Sequence, residues 1–132
     1  MKTDPVELLE RAYHLVWHEH DLEGAFGVVS PDFEWIVPGH PDGAVRRGPD
    51  GVIAFFRDWL DAWDDVHVHW DLHRVDEERV LAVTRQRARG RGSGAPVEVR
   101  FAQLWTVRDG RALRMVLYND VADGFRAAGL GP

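Results

Sequence analysis

Apolar and polar positions change their spacing four times along this chain. From Val6 to His20 the period is helical. Val6, Leu9, Tyr13, Val16, Trp17 and His20 fall on one face, and Leu8, Ala12 and Leu15 widen it. Asp4-Pro5 supplies an N-cap and a first-turn proline for this helix. Asp21 caps a short second helix expected over Leu22–Val29, and Ser30-Pro31-Asp32 reads as a turn. Phe33–Val37 is a short strand ended by Pro38-Gly39, and His40–Gly48 is a polar loop. Helical spacing returns over Pro49–Asp64, where Val52, Ile53, Phe55, Phe56, Trp59, Leu60 and Trp63 form a wide stripe.

From Val66 onward the period is two. Val66, Val68, Trp70 and Leu72 alternate with His67, His69, Asp71 and His73 up to Asp76. Between Arg79 and Arg89, Val80, Ala82, Thr84, Gln86 and Ala88 alternate with Leu81, Val83, Arg85, Arg87 and Arg89. Gly90–Pro96 is a flexible turn. Val97–Asp120 then reads as two strands joined at Asp109-Gly110, a strong hairpin signal. One hairpin face carries Val99, Phe101, Gln103, Trp105, Leu113, Met115, Leu117 and Asn119; the other carries Glu98, Arg100, Arg108, Arg114 and Tyr118. Val121–Leu130 is a short C-terminal helix.

Helices first and a long antiparallel meander afterwards make an α+β order. A curved antiparallel sheet wrapped around the first and third helices gives a cone with its mouth between them. Gln103 and Asn119 interrupt the apolar hairpin face, and a buried amide needs partners. That face therefore packs a core or lines a pocket. The opposite face of the sheet is free for self-association, so a homodimer is expected.

Composition narrows this picture. A chain of 132 residues is expected to be one domain spanning 1–132, and 45% hydrophobic residues with six tryptophans argue against disorder. A formal charge of −6 argues against nucleic acid as a partner. Arg85, Arg87, Arg89 and Arg91 share a strand side and read as a solvated row. With no cysteine, disulfides, thiol catalysis and cysteine-bound zinc are excluded. No apolar run approaches the roughly 20 residues needed to span a bilayer, and the opening residues lack a signal-peptide core. The expectation is a cytoplasmic protein without membrane contact.

The histidines offer metal-like spacings at His14/His18 and at His67/His69/His73. There is no H-E-x-x-H pattern and the strand histidines lie opposite the apolar side, so a surface or interface role is expected, with no metal and no cofactor. His20 continues the face of Tyr13 and Trp17, either as a satisfied core histidine or as an acid or base at the cone mouth. His40 lies on the mouth loop. Glu34, between Phe33 and Trp35, is read as facing outward.

Four segments together resemble the SnoaL-like proteins of the ketosteroid isomerase and nuclear transport factor superfamily. They are His20-Asp21-Leu22-Glu23 at the end of the first helix, Pro31 through Gly39, Arg47-Gly48-Pro49-Asp50-Gly51-Val52 running into Phe55-Phe56, and Leu104 through Arg111 ending at Tyr118-Asn119-Asp120. The resemblance implies the cone-shaped, cystatin-like α+β barrel. It also implies positions for known chemistries. In isomerase-like members a helix tyrosine and a strand acid form an oxyanion hole. The matching positions are Tyr13 and Gln103, while the base position falls on Ile36 or Val37. The acid set of hydrolase-like members falls on Thr84, Gln86 and Leu117, and the acid/base of SnoaL-like cyclases falls nearest Asp120, which also reads as the N-cap of the helix at Val121.

Two function classes follow. One is an isomerase or cyclase acting by proton transfer on a hydrophobic carbonyl compound, with Tyr13 and Gln103 polarising the carbonyl and His20 or Asp120 moving the proton. The other is a noncatalytic ligand-binding or accessory dimeric protein. In both, a small hydrophobic molecule would be held by Trp17, Trp35, Phe56, Trp59, Gln86, Phe101, Trp105, Leu117 and Asn119. The six tryptophans, Trp63 and Trp70 included, are expected to make the lining aromatic.

Overall fold

Residues 4–38 and 45–130 are described in the computed structural model. Helix α1 spans Pro5–Trp17 and α2 spans Leu22–Phe26. Strands β1 (Val29–Ile36) and β2 (Val45–Arg47) precede helix α3 (Gly48–Asp61). Strands β3 (Trp63–Arg74), β4 (Arg79–Gly90), β5 (Pro96–Arg108) and β6 (Arg111–Tyr118) follow, and α4 (Val121–Ala128) closes the order. The strands form one curved, unclosed sheet in the order β2-β1-β6-β5-β4-β3. Neighbours are antiparallel except β1 and β6, which run parallel. No described helix is long and apolar enough to cross a membrane.

Several boundaries differ from the sequence reading for identifiable reasons. β1 runs through the expected turn at Ser30-Pro31-Asp32, and its pairing with β6 is irregular between Val29 and Glu34. Pro31 has no N–H to give to the ladder. Arg46 and Arg47, expected in a loop, pair with Trp35 and Glu34 as β2. α3 stops at Asp61, and Trp63 opens β3 instead of completing the helical stripe. Asp65, at φ 52°, sits where the β3–β4 register shifts between Asp64 and His67. The hairpin turn has Asp109 at φ 52° and Gly110 at φ 75°, the pair of positive angles a two-residue type I′ turn requires. A bulge follows it. Thr106 pairs with Arg114 but Val107 pairs with Ala112, so Leu113 is left over and Ala112 turns inward.

The sheet has two covered faces. On the inner one, α1, α2 and α3 bury Leu9, Tyr13, Val16, Phe26, Val52 and Phe56 against Phe33, Trp35, Val80, Ala82, Trp105 and Met115. α1 is tied down at its start and along its length. Asp4 caps Val6 N–H at 3.2 Å and also takes Arg74 Nη2 on both oxygens, at 2.7 and 2.8 Å. That guanidinium, more than the cap, holds the Asp4 carboxyl below its ordinary range. Trp70 donates its indole N–H to Glu10 at 3.1 Å. On the outer face α4 covers Leu81, Ala102 and Leu104 with Ala128. The rest of that face carries exposed Arg85, Arg87 and Arg100 beside Glu98, so the surface left for self-association is charged.

Candidate functional site

The inner face is not completely filled. A cavity of about 170 Å3 lies between α1, α3 and the inward residues of β4, β5 and β6. Its wall is mostly apolar: Leu9, Ala12 and Val16 from α1, Phe55 from α3, Val99 from β5 and Ala112 from β6 all contribute. The sequence-predicted residues Tyr13, Trp17, Trp35, Phe56, Trp59, Gln86, Phe101, Gln103, Trp105, Leu117 and Asn119 are all brought to this wall. Aromatic edges and faces hold one another there. Phe56 meets Trp17 at 5.9 Å, Phe26 at 5.2 Å and Trp35 at 5.4 Å between ring centroids. Such contacts fix ring orientation as well as bury area. Trp63 and Trp70 are not part of the lining. Trp63 has moved onto β3, where it meets Trp59 at 5.6 Å, and Trp70 packs on Tyr13 and His18 at 5.7 and 5.5 Å.

At one end of the cavity a hydrogen-bonded chain crosses from sheet to helix. Trp105 Nε1 donates to Tyr13 Oη at 2.9 Å, and Tyr13 Oη donates to Gln103 Oε1. The direction is fixed by chemistry. An indole N–H can only donate, so the phenol oxygen accepts and its proton must go to the amide oxygen. Tyr13 is 6% exposed and Gln103 5%. Burial pushes the Tyr13 phenol well above its ordinary pKa, against smaller opposing effects from the Trp105 indole and the neighbouring Thr84 hydroxyl. It is therefore a neutral phenol at physiological pH. Gln86 repeats the logic on β4: Trp59 Nε1 donates to its Oε1 at 3.3 Å.

Thr84 was not singled out as a ligand contact from the sequence, yet it lines the cavity at 1% exposure. Although it lies close to Tyr13, its Oγ1 makes no formed hydrogen bond. The cue was present: Thr84 alternates in phase with Gln86, so both had to point inward if either did.

Two predicted acid/base residues are placed elsewhere. His20 was aligned by continuing the period of α1, but the helix ends at Trp17 with His18 as its cap. Beyond it the chain folds back through Asp21 N–H to Leu15 C=O at 2.8 Å, and His20, at φ 55°, is exposed. Asp120 is exposed as the N-cap of α4, accepting from Ala122 N–H at 2.9 Å. Glu34 stays outside the cavity and faces Arg47 at 3.9 Å. His40 lies outside the described residues. Tyr13 is thus the one ionisable side chain among the described lining residues. The exposed rings of His14 and His18 stack at 4.9 Å, and among the described residues no group of three or more His, Cys, Asp or Glu side chains is arranged to hold a metal.

Comparison with known proteins fits this architecture. A comparison with curated proteins found no match. Among solved structures, an NTF2-like protein of unknown function from Burkholderia pseudomallei superposes with a TM-score of 0.75 at 23% identity, covering 94% of this chain and 96% of that one. TerC, co-crystallised with polyporic acid, superposes at 0.73 with 20% identity, covering 96% of this chain and 99% of its own. A Mycobacterium tuberculosis protein in complex with estradiol-17β-hemisuccinate superposes at 0.72 with 20% identity, covering 88% and 94%. These likenesses establish the cone fold shared by NTF2-like and ketosteroid isomerase-like proteins. The model of the SnoaL-like domain matches residues 9–115, which is most of the chain, and the protein belongs to the SnoaL-like domain family.

Proposed function

We propose that this protein binds a compact, largely apolar small molecule inside the cone. The observation that carries the reading is the cavity itself: about 170 Å3 left open on the inner face and lined mostly by apolar side chains. Interiors normally pack like organic crystals, and an empty cavity is destabilising. A dry cavity of about 150 Å3 is enough for a benzene-sized ring. This one suits a ligand of about one ring, with aromatic side chains to stack on it and a few polar groups to orient it. Two structural relatives hold small organic molecules, polyporic acid and estradiol-17β-hemisuccinate, which supports a small-molecule use of the cone here.

Proton-transfer catalysis of the isomerase or cyclase kind would use the same cavity, and amide and hydroxyl donors suited to a carbonyl oxygen are available. A base is what the described wall lacks. Tyr13 keeps its proton and donates it in a hydrogen bond to Gln103, and no carboxylate or histidine is among the described lining residues. Binding is therefore the favoured reading. A homodimer across the part of the outer face that α4 leaves uncovered is proposed with it, and sedimentation at two salt concentrations tests that.

The test of the site is a fluorescence titration with acetophenone as probe, since Trp17, Trp35, Trp59 and Trp105 all face the cavity. Saturable quenching in the native protein, lost in Ala112→Leu, is expected. Ala112 lines the cavity at 1% exposure, and three added carbons occupy much of the space. Unsaturable quenching, or equal quenching in both proteins, refutes the reading.

A further inference from the structure

We infer that Thr84, with the amide NH2 groups of Gln86 and Gln103, forms a donor-rich recognition row that favours uncharged ligands carrying carbonyl-type acceptor oxygens. The inference rests on the binding role proposed above and specifies its chemistry.

Trp59 and Trp105 contribute indole N–H groups, which cannot accept. Trp59 therefore turns Gln86 so that its oxygen is occupied, and Trp105 forces Tyr13 to spend its proton on the oxygen of Gln103. Both amide oxygens are used, and neither NH2 has a partner among the described residues. The Thr84 hydroxyl, buried to 1% exposure on the same wall, is unpaired as well. Strand register sets these groups in a diagonal. Thr84 and Gln86 are two apart on β4, while Gln103 stands opposite Ala82 on β5. Gln103 and Thr84 are thus diagonal neighbours, roughly 7–8 Å apart at their Cα atoms, and Gln86 lies one step further along β4, so Thr84 stands between the two amides and a single ring with its substituents reaches Thr84 and one of them.

A buried hydroxyl without a partner is costly, and a native fold retains one where something else completes it. A ligand acceptor oxygen completes the row. A donor-rich ligand is served less well, because each glutamine oxygen already accepts one bond, which leaves mainly the Thr84 hydroxyl and the Asn119 carbonyl as open acceptors on the described wall. An anion gains donors but no countercharge, because no lysine, arginine or histidine is among the described lining residues. Leaving an ionised carboxylate there is strongly unfavourable.

Three probes of similar size separate these cases by calorimetry or ligand-observed NMR: acetophenone, ethylbenzene and benzoate. Acetophenone is expected to bind about tenfold more tightly than ethylbenzene, the value of one hydrogen bond to a buried donor, and benzoate at least about a hundredfold more weakly than acetophenone. Thr84→Val, which keeps the shape and removes the hydroxyl, should erase most of the acetophenone advantage and leave ethylbenzene unchanged. Thr84→Ser should restore the advantage. Because the hydroxyl is unpaired without ligand, Thr84→Val should also melt no lower than the native protein. If acetophenone and ethylbenzene bind equally, or the Thr84→Val protein retains the preference, the recognition row is refuted while the cavity remains a binding site. If none of the three binds, the site itself falls and the inference with it.

Discussion

Strands β4 and β5 are packed in opposite ways on their two faces. Outside, Leu81, Ala102 and Leu104 lie beneath α4, and the approach is so close that a Cβ on Gly124 would come within 2.6 Å of that of Ala102. Inside, the same strands present Thr84, Gln86 and Gln103 to a cavity of about 170 Å3. One sheet thus carries a face filled to contact and a face left hollow with unpaired donors. The outer face secures the sheet that the inner face uses. Nothing about strand geometry requires the hollow, since large aliphatic side chains at positions 84, 86 and 103 would continue the packing seen outside.

The largest loss of stability should come from the outer face. Leu81 is completely buried, and Leu81→Ala is expected to cost about 3 kcal/mol in urea unfolding. A loss under about 1 kcal/mol would mean that the outer face is not close-packed. Next comes the polar chain. Tyr13→Phe strands Gln103 Oε1 and Trp105 Nε1 and should cost about 2 kcal/mol. The pH dependence has a definite sign. Burial raises the phenol pKa, so the unfolded chain loses this proton first. The associated stability is complete below about pH 10 and falls by about 1.4 kcal/mol per pH unit as the pH rises toward the folded-state value. In Tyr13→Phe that part of the alkaline slope should vanish; an unchanged slope would place the phenol in contact with water.

Asp120→Ala should cost about 1 kcal/mol through loss of the α4 cap. It should leave acetophenone affinity unchanged, and a large loss of affinity would return Asp120 to the site. Smallest of all is the effect of filling the hollow. Ala112→Leu should change stability by less than about 1 kcal/mol in either direction, because added carbons replace empty space. A loss comparable to that of Leu81→Ala would show that the cavity does not exist in solution.

Much of this was legible from the residues. The alternating runs from β3 to β6 and the two-residue turn at Asp109-Gly110 carry the sheet, and the inward phase of β4 and β5 carries most of the wall. What failed was extrapolation across breaks in regularity. The helical period placed His20 beside Trp17, but α1 had already ended. The strand period places Leu113 inward, but Leu113 is the unpaired residue of a bulge and Ala112 turns in instead. Trp63 followed the stripe of α3 on paper and β3 in space. Periodicity holds only while backbone angles repeat, and caps and bulges are where they do not. Thr84 was missed for a different reason. A threonine on an inward strand position looks like packing until its hydroxyl is found without a partner.

The most direct test of the central claim, that the hollow face holds a small neutral ligand, is to locate acetophenone by intermolecular NOEs at saturation. Contacts from the probe ring to Trp105, Phe56 and Leu117, all on the cavity wall, are the result this account predicts. NOEs confined to exposed side chains, or none at saturating probe, would contradict it.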